Sequence, residues 1–217
     1  MTSSYAQARQ NMVDNQLRAN KVIDEPLLAL MGGAARETFV PPALRAVAYV
    51  DEDLPLGGGR FLIEPMVLAR LIQALAPQPG DKALDLGCAT GYSSALLAGL
   101  AGSVVAVESD ARLAGETRGN LAALGLANAT VVSGPLDAGH PALGPYDVIL
   151  VDGAIERLPR AILDQLAYGG RIAAVFKRNG RMGEASLWRG NPPARTALFD
   201  AATPLLAEFA AEPSFVF

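Results

Sequence analysis

Two acids and two glycines carry the clearest chemistry in this chain. In LDLGCATGYSS (residues 84–94), Asp85 stands two residues before Gly87, and Gly91 follows at the end of the same loop. Glu108 closes a later apolar stretch, SVVAVE (103–108). A glycine-bearing turn between a strand and a helix lets backbone approach a ligand, and the first N–H groups of the helix face it. An acid closing the next strand can accept hydrogen bonds from both hydroxyls of a ribose. Gly87-Cys88-Ala89-Thr90-Gly91 places Ala89 where a dinucleotide loop has glycine, and an acid on the first strand repels a pyrophosphate. Such an acid suits a ligand with a positive end. S-Adenosylmethionine (AdoMet) has an ammonium and a sulfonium, so the residues point to an AdoMet-dependent methyltransferase, with an NAD(P) enzyme as the alternative. The loop residues Cys88 and Ala89, the helix-opening Tyr92 and Ser93, and Ser109 beyond the ribose acid complete the expected cofactor contacts.

The elements that must hold these residues follow from periodicity. KALDL (82–86), SVVAVE (103–108), NATVVS (128–133), YDVILVD (146–152) and GGRIAAVF (169–176) read as strands. Between them, 91–100, 111–124 and 159–167 read as helices. Near-continuous apolar strands alternating with helices predict a doubly wound α/β sheet, mainly parallel and Rossmann-like. EASLWRG (184–190) and ARTALFD (194–200) leave no room for a helix between them and predict an antiparallel ribbon at the sheet edge. Upstream, 4–20 reads as a helix, and Asp24 caps a second one running to about Met31. Residues 38–63 read mostly as loop. Leu68, Leu71, Ile72 and Leu75 give the helix opened by Glu64-Pro65 one apolar face. The expected division is an N-terminal helical extension with an acceptor-side loop (1–78) and a cofactor-binding core (79–217), in one compact unit.

Composition excludes several other classes. The chain has 217 residues, 51% of them apolar, and a net charge of −4. No dense Lys/Arg cluster marks a nucleic-acid or membrane partner. The nearest, Lys177-Arg178-Asn179-Gly180-Arg181, reads as a solvated turn. One cysteine, Cys88, and one histidine, His140, provide neither a disulfide nor the usual metal ligands. With no secretion signal and no membrane-length apolar run, the expected location is the cytoplasm.

The chain also resembles a known family, the protein-L-isoaspartate O-methyltransferases. The likeness is collinear over most of the sequence. It is carried by Arg9, Met12, Val13, Gln16 and Leu17, by Arg36-Glu37-x-Phe39-Val40-Pro41, by Ala48-Tyr49-x-Asp51, by Leu54-Pro55-Leu56-Gly57 and by Gly87-Cys88-Ala89-Thr90-Gly91-Tyr92. The resemblance implies a seven-stranded sheet with an antiparallel seventh strand, AdoMet as methyl donor and an isoaspartyl carboxylate of damaged protein as acceptor.

It also makes the glycine run in LPLGGGRFLIEP (54–65) an acceptor-side loop and not a phosphate cradle. Phe61, Ile63 and Glu64 replace the family's Thr, Ser and Gln, so two hydroxyl donors are gone and isoaspartyl activity is expected to be weak or lost. Ile63 is the position of the family serine. Arg60 is a possible partner for the acceptor carboxylate, and Glu64 a helix-capping residue or a charge that repels that carboxylate. After the third strand the family's acid is absent, and Leu136 becomes the expected adenine contact. Asp152 ends the fourth strand where such sheets bind ligands, and so stands as a base, a cofactor contact or the cap of the next turn. Two alternatives remain open beside isoaspartyl methylation: another acceptor, protein or small molecule, or AdoMet binding without catalysis.

Overall fold

The computed structural model describes residues 2–178 and 181–211; Asn179-Gly180 of the basic turn lie outside them. Its centre is a seven-stranded sheet in the order β5-β4-β3-β6-β7-β8-β9. The first five strands of this sheet along the chain, after a separate two-stranded hairpin, are β3 (Lys82–Leu86), β4 (Ser103–Glu108), β5 (Ala129–Ser133), β6 (Tyr146–Ile155) and β7 (Leu166–Phe176). They pair in parallel. β8 (Gly183–Arg189) runs antiparallel to β7, and β9 (Ala194–Ala201) turns back along β8 to form the edge. The strand order reverses between β3 and β6, so the carboxyl ends of these two strands open the crevice where such sheets bind ligands.

The helices α3 (Pro65–Leu75), α4 (Tyr92–Leu100), α5 (Ala111–Ala123) and α6 (Arg160–Leu163) cover the sheet, after α1 (Thr2–Asn11) and α2 (Glu25–Gly33). Asp24 does cap α2, accepting from the Leu27 N–H. Beyond α1 the first helix loosens through a π turn at Met12–Leu17 and then tightens through a 3-10 turn at Arg18–Asn20. Met12, Val13 and Leu17 join one hydrophobic core with Leu68, Ile72, Leu97, Val148 and Val175. The N-terminal segment therefore shares its apolar burial with the sheet. Its polar residues fasten it: Gln16 donates to the Tyr49 carbonyl at 2.8 Å, and Arg9 donates to the Tyr49 hydroxyl at 3.0 Å.

Two expectations change. The helix expected at 159–167 shrinks to α6, because β7 begins early, with Leu166 paired to Tyr146. The loop expected over 38–63 contains a hairpin, β1 (Leu54–Gly57) against β2 (Arg60–Leu62). Gly57, Gly58 and Gly59 all have positive φ at its turn. A Cβ on Gly58 would stand 2.6 Å from the Asp110 carboxylate. The three glycines thus let the hairpin tip lie against the start of α5, where Arg112 donates to the Leu56 carbonyl at 3.0 Å. No described helix is long and apolar enough to cross a membrane.

Candidate active site

The crevice gathers three buried carboxylates. Asp85, near the end of β3, and Glu108, ending β4, are fully buried, and Asp152 nearly so. Asp152 gets its place from a break in β6. Leu150 pairs with Ala173 and Ala154 with Val175, so Val151-Asp152-Gly153 bulge out of the β7 ladder.

Each acid is held differently. Ser93 and Ser94, in the first turn of α4, both donate to Asp85 Oδ2, at 2.8 and 2.6 Å. Asp85 Oδ1 and Asp152 Oδ1 are buried and find no partner among the described residues. Burial, against the two serine bonds and with Glu108 nearby, pushes Asp85 up to about 6. Burial and the Asp85 charge push Asp152 well above the ordinary carboxylate range. Glu108 is saturated: it accepts from the N–H groups of Ala89 and Asp110, both at 2.9 Å, and from Arg60 Nε at 3.1 Å.

Arg60 comes from the hairpin. Its Nη2 also donates to Ser109 Oγ at 2.7 Å and to Glu208 Oε1 at 2.6 Å. Burial opposes its charge, but Glu108 and Glu208 outweigh that and raise its pKa. The other loop positions separate. Ile63 is buried and, with Phe61, Asp152 and Gly153, lines a hollow of about 10 Å³. Glu64 precedes α3, but its side chain makes no capping bond. Asp53 and Asp51 take that place, accepting from the N–H groups of Glu64 and Met66. Burial and these two acids push Glu64 up to about 7.

The cofactor loop has the shape its glycines imply. Gly87, Ala89 and Gly91 have φ of 80°, 50° and 91°. A Cβ on Gly87 would stand within 3.4 Å of Leu206 and Leu136, so Leu136 does border the loop. Two expected contacts point elsewhere. Tyr92 packs edge-on against Phe39, with the Arg36 guanidinium 5.0 Å from its ring centre. Cys88 turns toward Thr117. Burial, then Asp85 and Glu108, hold its thiol well above the usual value, which disfavours the thiolate.

The site also recruits residues to which the sequence reading gave no place in it. Ser94 is one; it was legible as the second hydroxyl of a helix start beside an acid. Arg36 is another, wholly buried, donating to the carbonyls of Ala48 and Ile63 at 2.8 and 2.7 Å. Thr90 joins the two halves by donating to the Phe39 carbonyl at 2.7 Å. Leu206 and Glu208 carry no local signal at all.

Comparison with known proteins agrees with this geometry. Residues 7–184 match the family model of protein-L-isoaspartate(D-aspartate) O-methyltransferase. A Methylorubrum populi protein-L-isoaspartate O-methyltransferase is 44% identical over 165 residues, 76% of this chain and 77% of its own. The chain belongs to the protein-L-isoaspartate O-methyltransferase family. A second relative of that name, from Methanoculleus marisnigri, is 40% identical over 186 residues, 80% of this chain and 84% of its own. The fold agrees as well. A solved protein-L-isoaspartate O-methyltransferase superposes with a TM-score of 0.80 at 22% identity, covering 93% of this chain and 67% of that one. A Plasmodium falciparum structure described as a β-aspartate methyltransferase, solved with S-adenosyl-L-homocysteine, gives 0.79 at 19% identity, covering 92% and 98%. Membership makes this chain a methyltransferase of the Rossmann-like type.

Proposed function

We propose that the chain is an AdoMet-dependent protein-L-isoaspartate O-methyltransferase, which esterifies the carboxylate of isoaspartyl residues in damaged protein. The observation that carries this is the buried acid cluster beneath Gly87, in a chain of this family. Bound AdoMet would supply an electrophilic methyl group on a sulfonium. The residues present fit it: Asp85 Oδ1 and Asp152 Oδ1 are acceptors in want of a donor, and an ammonium is such a donor. Glu108 and Ser109 would hold the ribose, with Leu136 beside the adenine. The Gly87–Gly91 loop, with Ala89 among its residues, lets backbone come close. Cys88 and Tyr92 would act through packing, from outside the first contacts.

The acceptor carboxylate is already ionised at neutral pH, so the protein's task is to hold it in line with the methyl group. Ile63 and Phe61 bring no hydroxyl to that task. Arg60 is the cation within the hairpin, and Asp152 would act by charge, not as a required base. The chain's single thiol is buried, which suits the reducing cytoplasm. The decisive experiment is methanol release from an isoaspartyl peptide against its aspartyl twin. Turnover confined to the isoaspartyl form is expected. Its absence, with AdoMet still bound, would leave a different acceptor. One observation favours that second reading: Glu64 lies among Asp51 and Asp53, and such a group repels an acidic acceptor.

The acid cluster also sets a pH dependence. Asp85 ionises at about 6 in the folded chain, above the usual value near 4, and an ammonium prefers its ionised form. Affinity for AdoMet should therefore climb as pH rises through 6, by up to about tenfold per unit below it, and level off above about 7. Asp152, also raised, would steepen the rise, while Arg36 and Arg60 stay charged throughout. Stability responds with the opposite sign. Ionising buried Asp85 costs the folded state, so its contribution is best below about 4 and is lost as pH rises to 6. Calorimetric titrations at several pH values would check the first claim, with Asp85→Asn as the control expected to show a shallower rise, the part left to Asp152. An affinity that ignores pH in the intact protein would refute it.

A further inference from the structure

The place where the cofactor would sit is filled by the chain itself. Residues 203–210 cross the carboxyl end of β6 as a strap. The Ala154 N–H donates to the Pro204 carbonyl at 2.8 Å, and the Leu206 N–H donates back to the Ala154 carbonyl at 2.9 Å. Farther on, the N–H groups of Glu156 and Arg157 both donate to the Phe209 carbonyl. Arg157 also reaches the carbonyls of Glu208 and Ala210, at 2.9 and 3.0 Å.

This strap puts Leu206 over both glycines of the crevice. One of its methyl carbons is 3.3 Å from where a Cβ on Gly87 would stand, and its Cγ is 2.6 Å from where one on Gly153 would stand. Beside it, Arg60 takes Glu108 and Ser109, the acid and hydroxyl expected at the ribose, and Glu208 of the strap closes over the guanidinium. The hollow that remains, lined by Ile63, Asp152 and Leu206 among others, measures about 10 Å³. A small-molecule site needs roughly 300 Å³ or more.

We infer that Arg60 and the 203–210 strap form an internal competitor for the cofactor: AdoMet enters by displacing Arg60 from Glu108 and Leu206 from Gly87. This rests on the cofactor assignment made above. The arrangement is not that of a permanently sealed core. Asp85 Oδ1, Asp152 Oδ1 and Glu208 Oε2 are buried acceptors without partners among the described residues, so the closed form leaves hydrogen bonds unmade. Among the described residues Arg60 is the one cation paired with Glu108, and the hydroxyls of a ribose can take its place as donors to that acid. The closed state therefore taxes affinity by the fraction of molecules that are open.

The test uses the full chain and AdoHcy, the methyl-free product, as probe. Affinity is measured for the wild type, Leu206→Ala and Arg60→Met, and amide exchange is followed at Ala154, Glu156, Arg157 and Leu206 in the wild type. Leu206→Ala shortens the strap's plug without touching any charge, so it stays informative where loss of Arg60 impairs folding. The expected result is binding about tenfold tighter in Leu206→Ala, and faster exchange at those four amides in liganded wild type. Binding in the variants but not in the wild type would support the competitor in its strongest form. Wild-type binding with an equal or weaker affinity in Leu206→Ala overturns the competitor and leaves the cofactor assignment standing. No binding by any of the three overturns both.

Discussion

Glu108→Ala is expected to lower the melting temperature by roughly 10 °C, quite apart from any effect on catalysis. Glu108 is fully buried and each of its oxygens is in use. Its removal orphans the N–H groups of Ala89 and Asp110, and leaves the Arg60 guanidinium with Glu208 as its one remaining acid. Breaking a buried ion pair from one side costs about 3–5 kcal/mol, because the surviving charge stays desolvated. Glu108→Gln preserves the shape and one acceptor, so about half that loss is expected. The ordering wild type, Gln, Ala in thermal unfolding is the measurement. A melting point for Glu108→Ala within about two degrees of wild type would show that Arg60 does not depend on this acid.

The second large effect is expected at Arg36. This residue is charged, wholly buried and, among the described residues, without a carboxylate in hydrogen-bond contact; burial lowers its pKa, against the pull of Tyr92 and Asp152. What it does is tie two loops together, through the carbonyls of Ala48 and Ile63, while lying over the Tyr92 ring. Arg36→Met retains much of the volume and loses both donors. Two buried carbonyls then lack partners, at about 1–3 kcal/mol each, partly offset because a desolvated charge is gone. Ile63 also loses its anchor, and it borders the hollow beside Asp152. Acceptor turnover should therefore fall by about tenfold or more, as expected when positioning is lost, while AdoHcy affinity changes by less than about threefold. Arg36→Lys should not rescue it, because one ammonium does not reproduce a planar fork aimed at two carbonyls. Methanol release and calorimetry on the same preparations separate the two quantities. Parallel losses of turnover and cofactor affinity would show that Arg36 supports the whole crevice and not the acceptor loop.

The legible parts of this molecule were the local ones. β3 and β4 were readable to the residue, because a short apolar run closed by an acid or a glycine is a self-contained signal. That Asp85, Gly87 and Glu108 would lie close together was readable for the same reason: each sits at or just beyond a strand end, and parallel pairing brings strand ends together. The hairpin in residues 54–62 was hidden because its turn is made of three glycines, which permit a turn without encoding its type. Of the two readings of Glu64, the capping one does not hold, because helix-start statistics do not reveal that Asp51 and Asp53, from an earlier turn, already serve the free N–H groups. The direction of the Tyr92 ring was not readable: as the first residue of α4 it turns to Phe39, although its neighbour Ser93 faces Asp85. The strap was invisible. Residues 203–210 have no period, and their meaning lies in contacts to Gly87 and Ala154, which no local pattern encodes.

β9 has a consequence of a different kind. It is the outermost strand, and residues 194–198 are all exposed. One edge of such a strand is a template for another chain, the usual seed of misassembly. Here the strand follows Pro192-Pro193, carries Arg195 and Asp200, and changes register against β8 between Ala185 and Ser186. Proline next to the edge, charge on it and a local irregularity are the devices by which sheets refuse further strands. An enzyme whose proposed substrates are themselves damaged proteins would meet partly unfolded, strand-seeking chains as a matter of routine. An edge guarded in this way lets it handle them without becoming part of their aggregates.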